Sequence, residues 1–206
     1  MQWITALDFQ ILHEIQNRFS CSFLDFWMPK ITALGNGGIL WILLAVLLLC
    51  ISKTRKNGIQ LGVGNMGCGL IGNLLLKNLV ARDRPCWLEE HAMLIAVPHD
   101  YSFPSGHTMA SFAAATVLWH WNRKAGLATY LLAGMIAFSR LYLFVHFPSD
   151  VLAGALLGCL VGIAAVRLVD LGEKKIVHET KRGVSNAKPL YFTGRGYSDN
   201  ILSASA

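Results

Sequence analysis

The sequence predicts an all-α membrane protein: a polytopic bundle of five clear transmembrane helices, with an N-terminal helix that is either interfacial or a sixth span. Three observations lead to this fold class. Hydrophobic residues make up 54% of the 206 residues and charged residues only 15%, against roughly 25% in an average soluble domain. The mean hydropathy is +0.46. Apolar runs near the length that crosses a hydrocarbon core, about 20 residues, recur along the chain.

The N-terminal segment, residues 1–30, is predicted to be amphipathic. From Trp3 to Phe19 the apolar residues recur at roughly helical spacing, with polar residues such as Asp8 and Glu14 between them. This pattern is typical of a helix that lies in the membrane interface or caps a bundle. The polar residues also interrupt the apolar core of a cleaved signal peptide, so we expect none. No catalytic role is expected of this segment.

The predicted membrane domain covers residues 31–170 and contains five apolar spans. They are Ile31–Ile51, Ile59–Val80, Gly106–Trp121, Gly126–Val145 and Val151–Val169. The third is the shortest and falls below the length of about 20 residues that crosses the hydrocarbon core. We therefore expect it to begin within the headgroup region.

Small residues in the second and fifth spans favour close helix packing. The second span is rich in glycine and also contains Asn65 and Asn73, and the fifth places Gly154, Gly158 and Gly162 at intervals of four. In lipid, small residues let helix backbones approach closely, and amides bond across helices. We expect both spans to pack inside the bundle.

The distribution of Lys and Arg predicts the orientation in the membrane. If five spans alternate, the basic segments Ser52–Asn57 and Asn122–Lys124 share one face with residues 171–206, which lose the apolar periodicity and are predicted to be a partly disordered tail. The excess of Lys and Arg places that face, and the C-terminus, in the cytoplasm. The loop Ala81–Pro104 and the junction His146–Pro148 then lie on the extracytoplasmic face of the cell membrane.

Charge and cysteine content exclude several other classes of protein. The net charge of +6 does not indicate a nucleic-acid partner, because the basic residues stand in short runs beside apolar spans, where they suit anionic lipid headgroups. The five cysteines form no C-x-x-C pair, and three lie inside apolar runs. We expect no metal site, no disulfide framework and no cofactor.

Three polar motifs fall on the face opposite the basic loops. They are KNLVARDRP (Lys77–Pro85), PSGH (Pro104–His107) and SRLYLFVHFPSD (Ser139–Asp150). Ionisable residues at membrane depth are costly, so their default interpretation is functional. The cations Lys77, Arg84 and Arg140 would repel each other unless a multiply charged anion lay between them. A phosphate group is the natural occupant.

The same motifs supply further donors and two histidines. Ser105 is predicted to cap the third span, so that the backbone N–H groups of Gly106 and His107 point outward as donors to an oxyanion. His146 lies four residues before Asp150, whose carboxylate can accept the ring N–H while the other ring nitrogen attacks phosphorus. His107 has no neighbouring carboxylate in the sequence and can protonate the departing oxygen.

Together, K-x6-RP, PSGH and SR-x5-H-x3-D resemble the motifs of the type 2 phosphatidic acid phosphatase (PAP2) superfamily, over the chain from about Ile31 to Val169. The resemblance implies a phosphohistidine mechanism, with His146 as nucleophile, Asp150 as its orienting partner, and His107 as acid and later base. It also implies a six-helix core, one more than the clear spans. The groups that would hold the phosphoryl oxygens are Lys77, Arg84, Ser105, Gly106 and Arg140.

We therefore expect an integral membrane lipid phosphatase that hydrolyses a phosphomonoester or pyrophosphate of a phospholipid or isoprenoid lipid. Small bacterial members of that family act on undecaprenyl pyrophosphate, phosphatidylglycerophosphate or phosphatidate, and an outward-facing site favours the first. Two alternatives stay open. One is a vanadate-dependent haloperoxidase, a soluble class with the same constellation. The other is a non-enzymatic protein that binds or flips lipid phosphates, for which the cations alone would suffice.

Overall fold

The computed structural model describes residues 2–186, and every regular element in this range is helical. The helices are α1 (Gln2–Phe19), α2 (Ser22–Ala33), α3 (Ile39–Cys50), α4 (Arg55–Cys68), α5 (Lys77–Val80), α6 (Pro85–Leu88), α7 (Gly106–Trp121), α8 (Arg123–Tyr142) and α9 (Pro148–Asn186). A π-helical segment, Gly69–Leu76, joins α4 to α5.

The chain divides into two compact units, of which the first ends at Leu171 and contains the whole candidate site. The second begins at Gly172, and within it α9 is helical as far as Asn186. The predicted tail, residues 171–206, is therefore helical in its described part. Its residues 187–206 lie outside the described range.

Three of the described helices are long and apolar enough to cross a membrane: Ser52–Leu88, Arg123–Tyr142 and Pro148–Ile176. The pair Ser22–Ala33 and Asn36–Cys50, bent by 41°, adds a fourth if it forms one broken span. The predicted count of five is not confirmed. The predicted third span does form a helix with the predicted bounds, but its 16 residues reach only about 24 Å at about 1.5 Å per residue.

A glycine-rich break interrupts the predicted first span. The predicted range Ile31–Ile51 begins near the end of α2, and the chain then turns through the 3₁₀ segment Asn36–Gly38 before α3 starts. Gly37 has φ +57° and Gly38 has φ +67°. This left-handed backbone is readily accessible only to residues without a Cβ. The break places Asn36 beside the candidate site, as shown below.

Helix α7 lies at the centre of the bundle, and the glycines of α9 let that helix approach the α7 backbone. Most side chains from Thr108 to Leu118 are buried. A Cβ added at Gly154 would lie 2.8 Å from the Ser105 carbonyl oxygen, and one at Gly158 would lie 2.3 Å from that of Met109. In lipid such close approach supplies the packing energy that the hydrophobic effect supplies in water. The predicted packing role of the α9 glycines is confirmed.

The glycines of the second span have more varied surroundings. A Cβ at Gly72 would lie 2.7 Å from the Met109 sulfur, and one at Gly67 would lie 3.1 Å from Val161 Cγ1. A Cβ at Gly62 would meet no described atom within 4 Å. Only part of this glycine set is therefore required by packing. The π-helical segment lies directly before Lys77, and such segments occur frequently at functional sites.

Helix α1 is held to the bundle by a buried carboxylate. Asp8 is only 4% exposed, and it accepts hydrogen bonds from the Ser149 amide at 3.0 Å, the Ser149 hydroxyl at 2.6 Å and Arg82 Nη2 at 2.7 Å. The neighbouring Leu12 is buried against Phe144 and Phe147. The N-terminal helix thus contacts the junction between α8 and α9, which its amphipathic pattern did not reveal.

Substitution Gly158→Ala should lower the thermal stability of the detergent-solubilised protein, because its Cβ would overlap the Met109 carbonyl. Overpacking of this kind costs about 1–3 kcal/mol. The matched substitution Gly62→Ala, in open space, should leave the midpoint of thermal unfolding unchanged or slightly raised. Equal midpoints for the two variants would contradict the packing of α9 on α7.

Candidate active site

The three motifs meet at one end of the bundle because each lies at a helix end. Lys77 begins α5, Arg84 immediately precedes α6, and Arg140 lies in the last turn of α8. Ser105 is the N-terminal cap residue of α7. The basic turns at the ends of α3 and α7 lie at the other end of the same helices. The side chain of Lys56, in α4, bonds Asp170, in α9, at 2.9 Å at that other end.

A sharp junction between α8 and α9 positions His146. After α8 ends at Tyr142, Phe144 takes a left-handed conformation with φ +57°, which is rare for a residue with a side chain. The Val145 amide then donates back to the Arg140 carbonyl at 3.2 Å. Pro148 starts α9, whose first turn contains Asp150. His146 therefore lies in a tight loop between two helix ends.

His146 and Asp150 are buried side by side, but they do not form the predicted direct hydrogen bond. Nδ1 of His146 lies 3.8 Å from Asp150 Oδ2, beyond hydrogen-bond distance. Oδ2 instead accepts from the Phe147 amide at 2.9 Å and from the Ser102 hydroxyl at 2.5 Å. The Ser102 hydroxyl also lies 3.3 Å from Nδ1. A residue outside the three motifs thus stands between imidazole and carboxylate.

The other carboxylate oxygen of Asp150 is held by Arg82. Nη1 of Arg82 donates to Oδ1 at 2.6 Å, and its Nη2 donates to Asp8. The guanidinium also lies 4.1 Å above the centre of the Phe147 ring. Arg82 therefore links α1 to the carboxylate beside His146. The contact joins residues 68 positions apart, and no local pattern in the sequence signals it.

Arg84 uses all of its N–H groups within the protein. Nε and Nη2 donate to the Asp100 carbonyl at 2.6 Å and the Asp100 carboxylate at 2.7 Å, and Nη2 also reaches the Tyr101 carbonyl at 3.3 Å. Nη1 donates to the Val145 carbonyl at 2.6 Å and lies 3.1 Å from His146 Nε2. Because an arginine has five N–H donors, Arg84 must exchange partners to bind a phosphate.

Asp100 is a site residue that the sequence analysis missed. Its carboxylate is bonded by both Lys77 Nζ and Arg84 Nη2. Burial alone would raise the pKa of this carboxyl, but the adjacent Lys77 and Arg84 charges bring it down to about 2. The carboxylate is therefore ionised at neutral pH. It pairs with Lys77 and Arg84, the two cations that were predicted to hold a phosphate.

Arg140 has a donor that no described protein group accepts. The side chain is 3% exposed, and its Nη1 donates to the Thr32 hydroxyl at 2.6 Å. Its Nε is buried and has no hydrogen-bond partner within residues 2–186. Buried polar groups are nearly always paired, so an unpaired one calls for an explanation. An anion bound in the site would accept from this donor.

His107 lies on the wall of a polar cavity at the start of α7. Its Nε2 is 2.9 Å from Oδ1 of Asn36, the residue presented by the glycine-rich break. A Cβ at Gly35 would lie 2.6 Å from the His107 ring, so this glycine is needed for the loop to pack on the histidine. The amide oxygen accepts from Nε2–H and orients the ring, a role that the sequence analysis assigned to no residue.

The cavity has a volume of about 370 Å³. Its wall includes three of the predicted site residues, namely Lys77, Gly106 and His107. Two amide side chains, Asn65 and Asn73, also line it, and a Cβ at Gly106 would lie 2.5 Å from Asn73 Oδ1. The lining, as far as the structure describes it, does not include His146 or Arg140.

The backbone around Ser105 differs from the prediction in one respect. Ser105 is at the cap position of α7, but its side chain accepts from the Thr108 hydroxyl at 2.9 Å rather than from a backbone N–H. Its own amide donates to the Asp150 carbonyl at 3.1 Å. The PSGH motif is thereby bonded directly to the start of α9, which brings the second and third motifs together.

The imidazole of His146 is neutral in this setting. Burial lowers its pKa well below the usual value, and the positive charges of Arg84, Arg140 and Lys77 lower the pKa further. A neutral imidazole has a lone pair on one ring nitrogen. That nitrogen is Nε2, which faces Arg84.

Among the described residues, no group of three or more His, Cys, Asp or Glu side chains is arranged to bind a metal ion.

Comparison with known proteins supports the resemblance in the motifs. The sequence profile of the PAP2 superfamily matches residues 57–172. An undecaprenyl-diphosphatase of Sulfolobus acidocaldarius is 33% identical over 141 residues, which cover 68% of this chain and 68% of that protein. The undecaprenyl-diphosphatase BcrC of Bacillus subtilis is 30% identical over 165 residues, or 79% of this chain and 83% of that protein.

A solved structure has the same fold. The crystal structure of a transmembrane PAP2-type phosphatidylglycerolphosphate phosphatase from Bacillus subtilis superposes with a TM-score of 0.68 at 25% identity. The superposition covers 85% of this chain and 89% of that chain.

Substitution Asp100→Asn should tighten the binding of orthophosphate, because the anion would no longer displace a carboxylate from Lys77 and Arg84. We expect the Kd to fall about two- to fivefold, the scale of a half-exposed ion pair. Isothermal titration calorimetry in detergent measures this constant. Glu90→Gln removes an exposed carboxylate from the same loop and should leave the Kd unchanged. Weaker binding by the Asp100 variant would show instead that this carboxylate orients the cations for phosphate.

Proposed function

The chain belongs to the PAP2 superfamily and is a membrane lipid phosphatase, and we propose that it acts through a phosphohistidine intermediate on His146. The observation that carries the proposal is the position of His146 Nε2. This nitrogen is buried and lies 3.1 Å from Arg84 Nη1, which can only donate to it, and the positive charges of Arg84, Arg140 and Lys77 act on the imidazole. A nucleophilic nitrogen in a positive environment is what attack on a phosphoryl group requires.

In the first step, the Nε2 lone pair forms a bond to phosphorus while the bond from phosphorus to the lipid oxygen breaks. His107 enters this step as the imidazolium: Asn36 Oδ1 holds its Nε2–H, and Nδ1 gives its proton to the departing oxygen, which leaves His107 neutral. In the second step, His107 takes a proton from water, whose oxygen attacks phosphorus and releases His146. The products are the dephosphorylated lipid and orthophosphate, and both histidines return to their starting states.

The phosphoryl oxygens would be held by Lys77, Arg84 and Arg140, together with Ser105 and the backbone N–H groups at the start of α7. The unpaired Nε of Arg140 supports this assignment most directly. Phosphate binding would move the Asp100 carboxylate away from Lys77 and Arg84. Arg84 would then exchange its contact with His146 for one with the phosphate, which frees Nε2 for attack.

We infer that the substrate is an isoprenoid lipid diphosphate of the undecaprenyl type. Two relatives that match most of the chain carry the name undecaprenyl-diphosphatase. The cavity beside His107 is lined by the neutral donors Asn65 and Asn73 rather than by further cations. Amides of this kind can bond the phosphate that stays on the lipid after the terminal phosphoryl group is removed. The competing substrates are phosphatidylglycerophosphate and phosphatidate.

Five helical spans would place the site on the extracytoplasmic face of the cell membrane. In this arrangement the bent pair α2 and α3 forms the first span, and α7 forms the third, although it is short. The basic turns Ser52–Asn57 and Asn122–Lys124 then lie in the cytoplasm with the C-terminus. The site would open beside the outer headgroups, where a lipid could enter sideways. Within residues 2–186, no observation favours halide oxidation or lipid flipping.

The wild-type protein should release orthophosphate from undecaprenyl diphosphate at a kcat/KM about tenfold above that for phosphatidylglycerophosphate or phosphatidate in the same detergent. His146→Ala should lower kcat on every substrate by roughly a thousandfold or more, because the nucleophile is removed. His120→Ala, at the other end of α7, is the matched control and should retain activity. Phosphate release that survives in His146→Ala would refute the nucleophile, and a preference for phosphatidate would refute the inferred lipid.

The orientation can be measured with single cysteines in a cysteine-free variant that retains activity. A cysteine at Glu90, in the loop at the site end, should react with a membrane-impermeant maleimide in intact cells. A cysteine at Lys53, in the basic turn, should react only after the cells are permeabilised. The reverse pattern of labelling would place the site in the cytoplasm.

A further inference from the structure

The Ser102 hydroxyl connects the Asp150 carboxylate to the His146 ring. It lies 2.5 Å from Asp150 Oδ2 and 3.3 Å from His146 Nδ1, whereas carboxylate and ring are 3.8 Å apart. Ser102 and Asp150 are fully buried, and His146 is 1% exposed. Within the described residues, the path of hydrogen bonds from Asp150 to the imidazole runs through this hydroxyl.

The direction of these hydrogen bonds follows from the number of protons. A hydroxyl has one proton, and an ionised carboxylate can only accept. Ser102 therefore donates to Asp150 and accepts from the N–H at Nδ1 of His146. This order leaves the lone pair on Nε2, the nitrogen that faces Arg84 Nη1. Ser102 thus selects the tautomer that a nucleophilic His146 needs.

Each member of this connection is also fixed from outside. The Ser102 amide donates to the Arg82 carbonyl at 2.8 Å, and the Arg82 side chain holds Asp150 Oδ1 at 2.6 Å. The Phe147 amide holds Oδ2 at 2.9 Å. Asp150 therefore cannot move towards the ring without losing contacts of its own. The hydroxyl bridges the 3.8 Å between Nδ1 of His146 and Oδ2 of Asp150, which these contacts maintain.

The positive charges near the His146 ring oppose the positive charge that the reaction would place on it. The ionisable groups that act on His146 include Arg84, Arg140, Lys77 and His107, and the first three are cations. They disfavour a positive charge on the imidazole. When Nε2 attacks phosphorus, the ring acquires such a charge, and Asp150 is the carboxylate placed to stabilise it. Its effect reaches Nδ1–H through the polarised hydroxyl of Ser102.

We propose that Ser102 is a positioning residue for the phosphatase reaction, which fixes the His146 tautomer and transmits the charge of Asp150 to the ring. The inference rests on the proposed role of His146 as nucleophile. No covalent bond to Ser102 forms, and the proton on Nδ1 stays on the ring during attack. Ser102 lies two residues before the PSGH motif and does not line the cavity, and its hydroxyl bonds only His146 and Asp150 among the described residues.

Substitution Ser102→Ala should lower kcat roughly 10- to 100-fold, the cost typical of losing the hydrogen-bond partner of a metal-binding histidine, while KM changes less than about twofold. Ser102→Thr keeps the hydroxyl and should recover most of the lost kcat. Ser111→Ala is the matched control. Its serine is equally buried and hydrogen-bonded, to Trp41 at 3.2 Å, but it neither lines the cavity nor bonds His146 or Asp150, so its kcat should match that of the wild type.

A double-mutant cycle separates this role from a general effect on structure. If Ser102 acts only by connecting Asp150 to His146, then Ser102→Ala should lower kcat less than about twofold when it is added to Asp150→Asn. The full loss on that background would overturn the proposal. So would an unchanged kcat in Ser102→Ala, or equal kcat values in the alanine and threonine variants.

If Ser102→Ala fails to fold in detergent, Ser102→Cys takes its place, because a thiol has similar volume but is a weak hydrogen-bond donor. The same fall in kcat and the same cycle are expected. Failure of this proposal is distinguishable from failure of the proposed function. An active His146→Ala variant would overturn both, whereas an unaffected Ser102→Ala together with an inactive His146→Ala would overturn the role of Ser102 alone.

Discussion

The structure depends on the balance of buried charge at one end of the bundle. Three cations, Lys77, Arg84 and Arg140, are less than a tenth exposed, and burying each would cost several kcal/mol if it were left unpaired. Asp100 pairs with the first two, but part of Arg140 has no partner among the described residues. This arrangement supports the proposal that the site binds an anion, for which the Asp100 carboxylate would have to leave Lys77 and Arg84.

The fold supplies this charge cluster by bringing helix ends together. The glycines of α9 let it approach the backbone of α7, and the Ser105 amide bonds the Asp150 carbonyl, so the two motifs have a fixed separation. The left-handed conformation of Phe144 reverses the chain between α8 and α9 and so positions His146 in the junction. Arg82 extends the same network to α1. The packing of the helices thus determines which polar groups meet at this end of the bundle.

The sequence predicted the class of fold, the position of α7 and the residues of the three motifs, because these signals are local: apolar length, glycine spacing and motif order. The break in the predicted first span, between α2 and α3, was not predicted, because a hydrophobic run does not show whether Gly37 and Gly38 adopt left-handed backbone. No local pattern in the sequence signals Asp100, Asn36 or Ser102. Their side-chain partners are at least 16, 71 and 44 positions away in the chain, respectively, and only the folded structure brings them together. The direct contact between His146 and Asp150 was inferred from helical spacing, but α9 begins only at Pro148, so His146 is not on the same helix.

The central claim is that phosphorus is transferred to His146. It is tested most directly by mixing the enzyme with a lipid substrate labelled at the terminal phosphate, quenching in alkali during the first turnover, and locating the label by peptide mass spectrometry. The account predicts an alkali-stable, acid-labile phosphoryl group on the peptide that contains His146, formed in wild type and absent in His146→Ala. A label on His107 or on a serine, or phosphate release without any labelled enzyme, would contradict it.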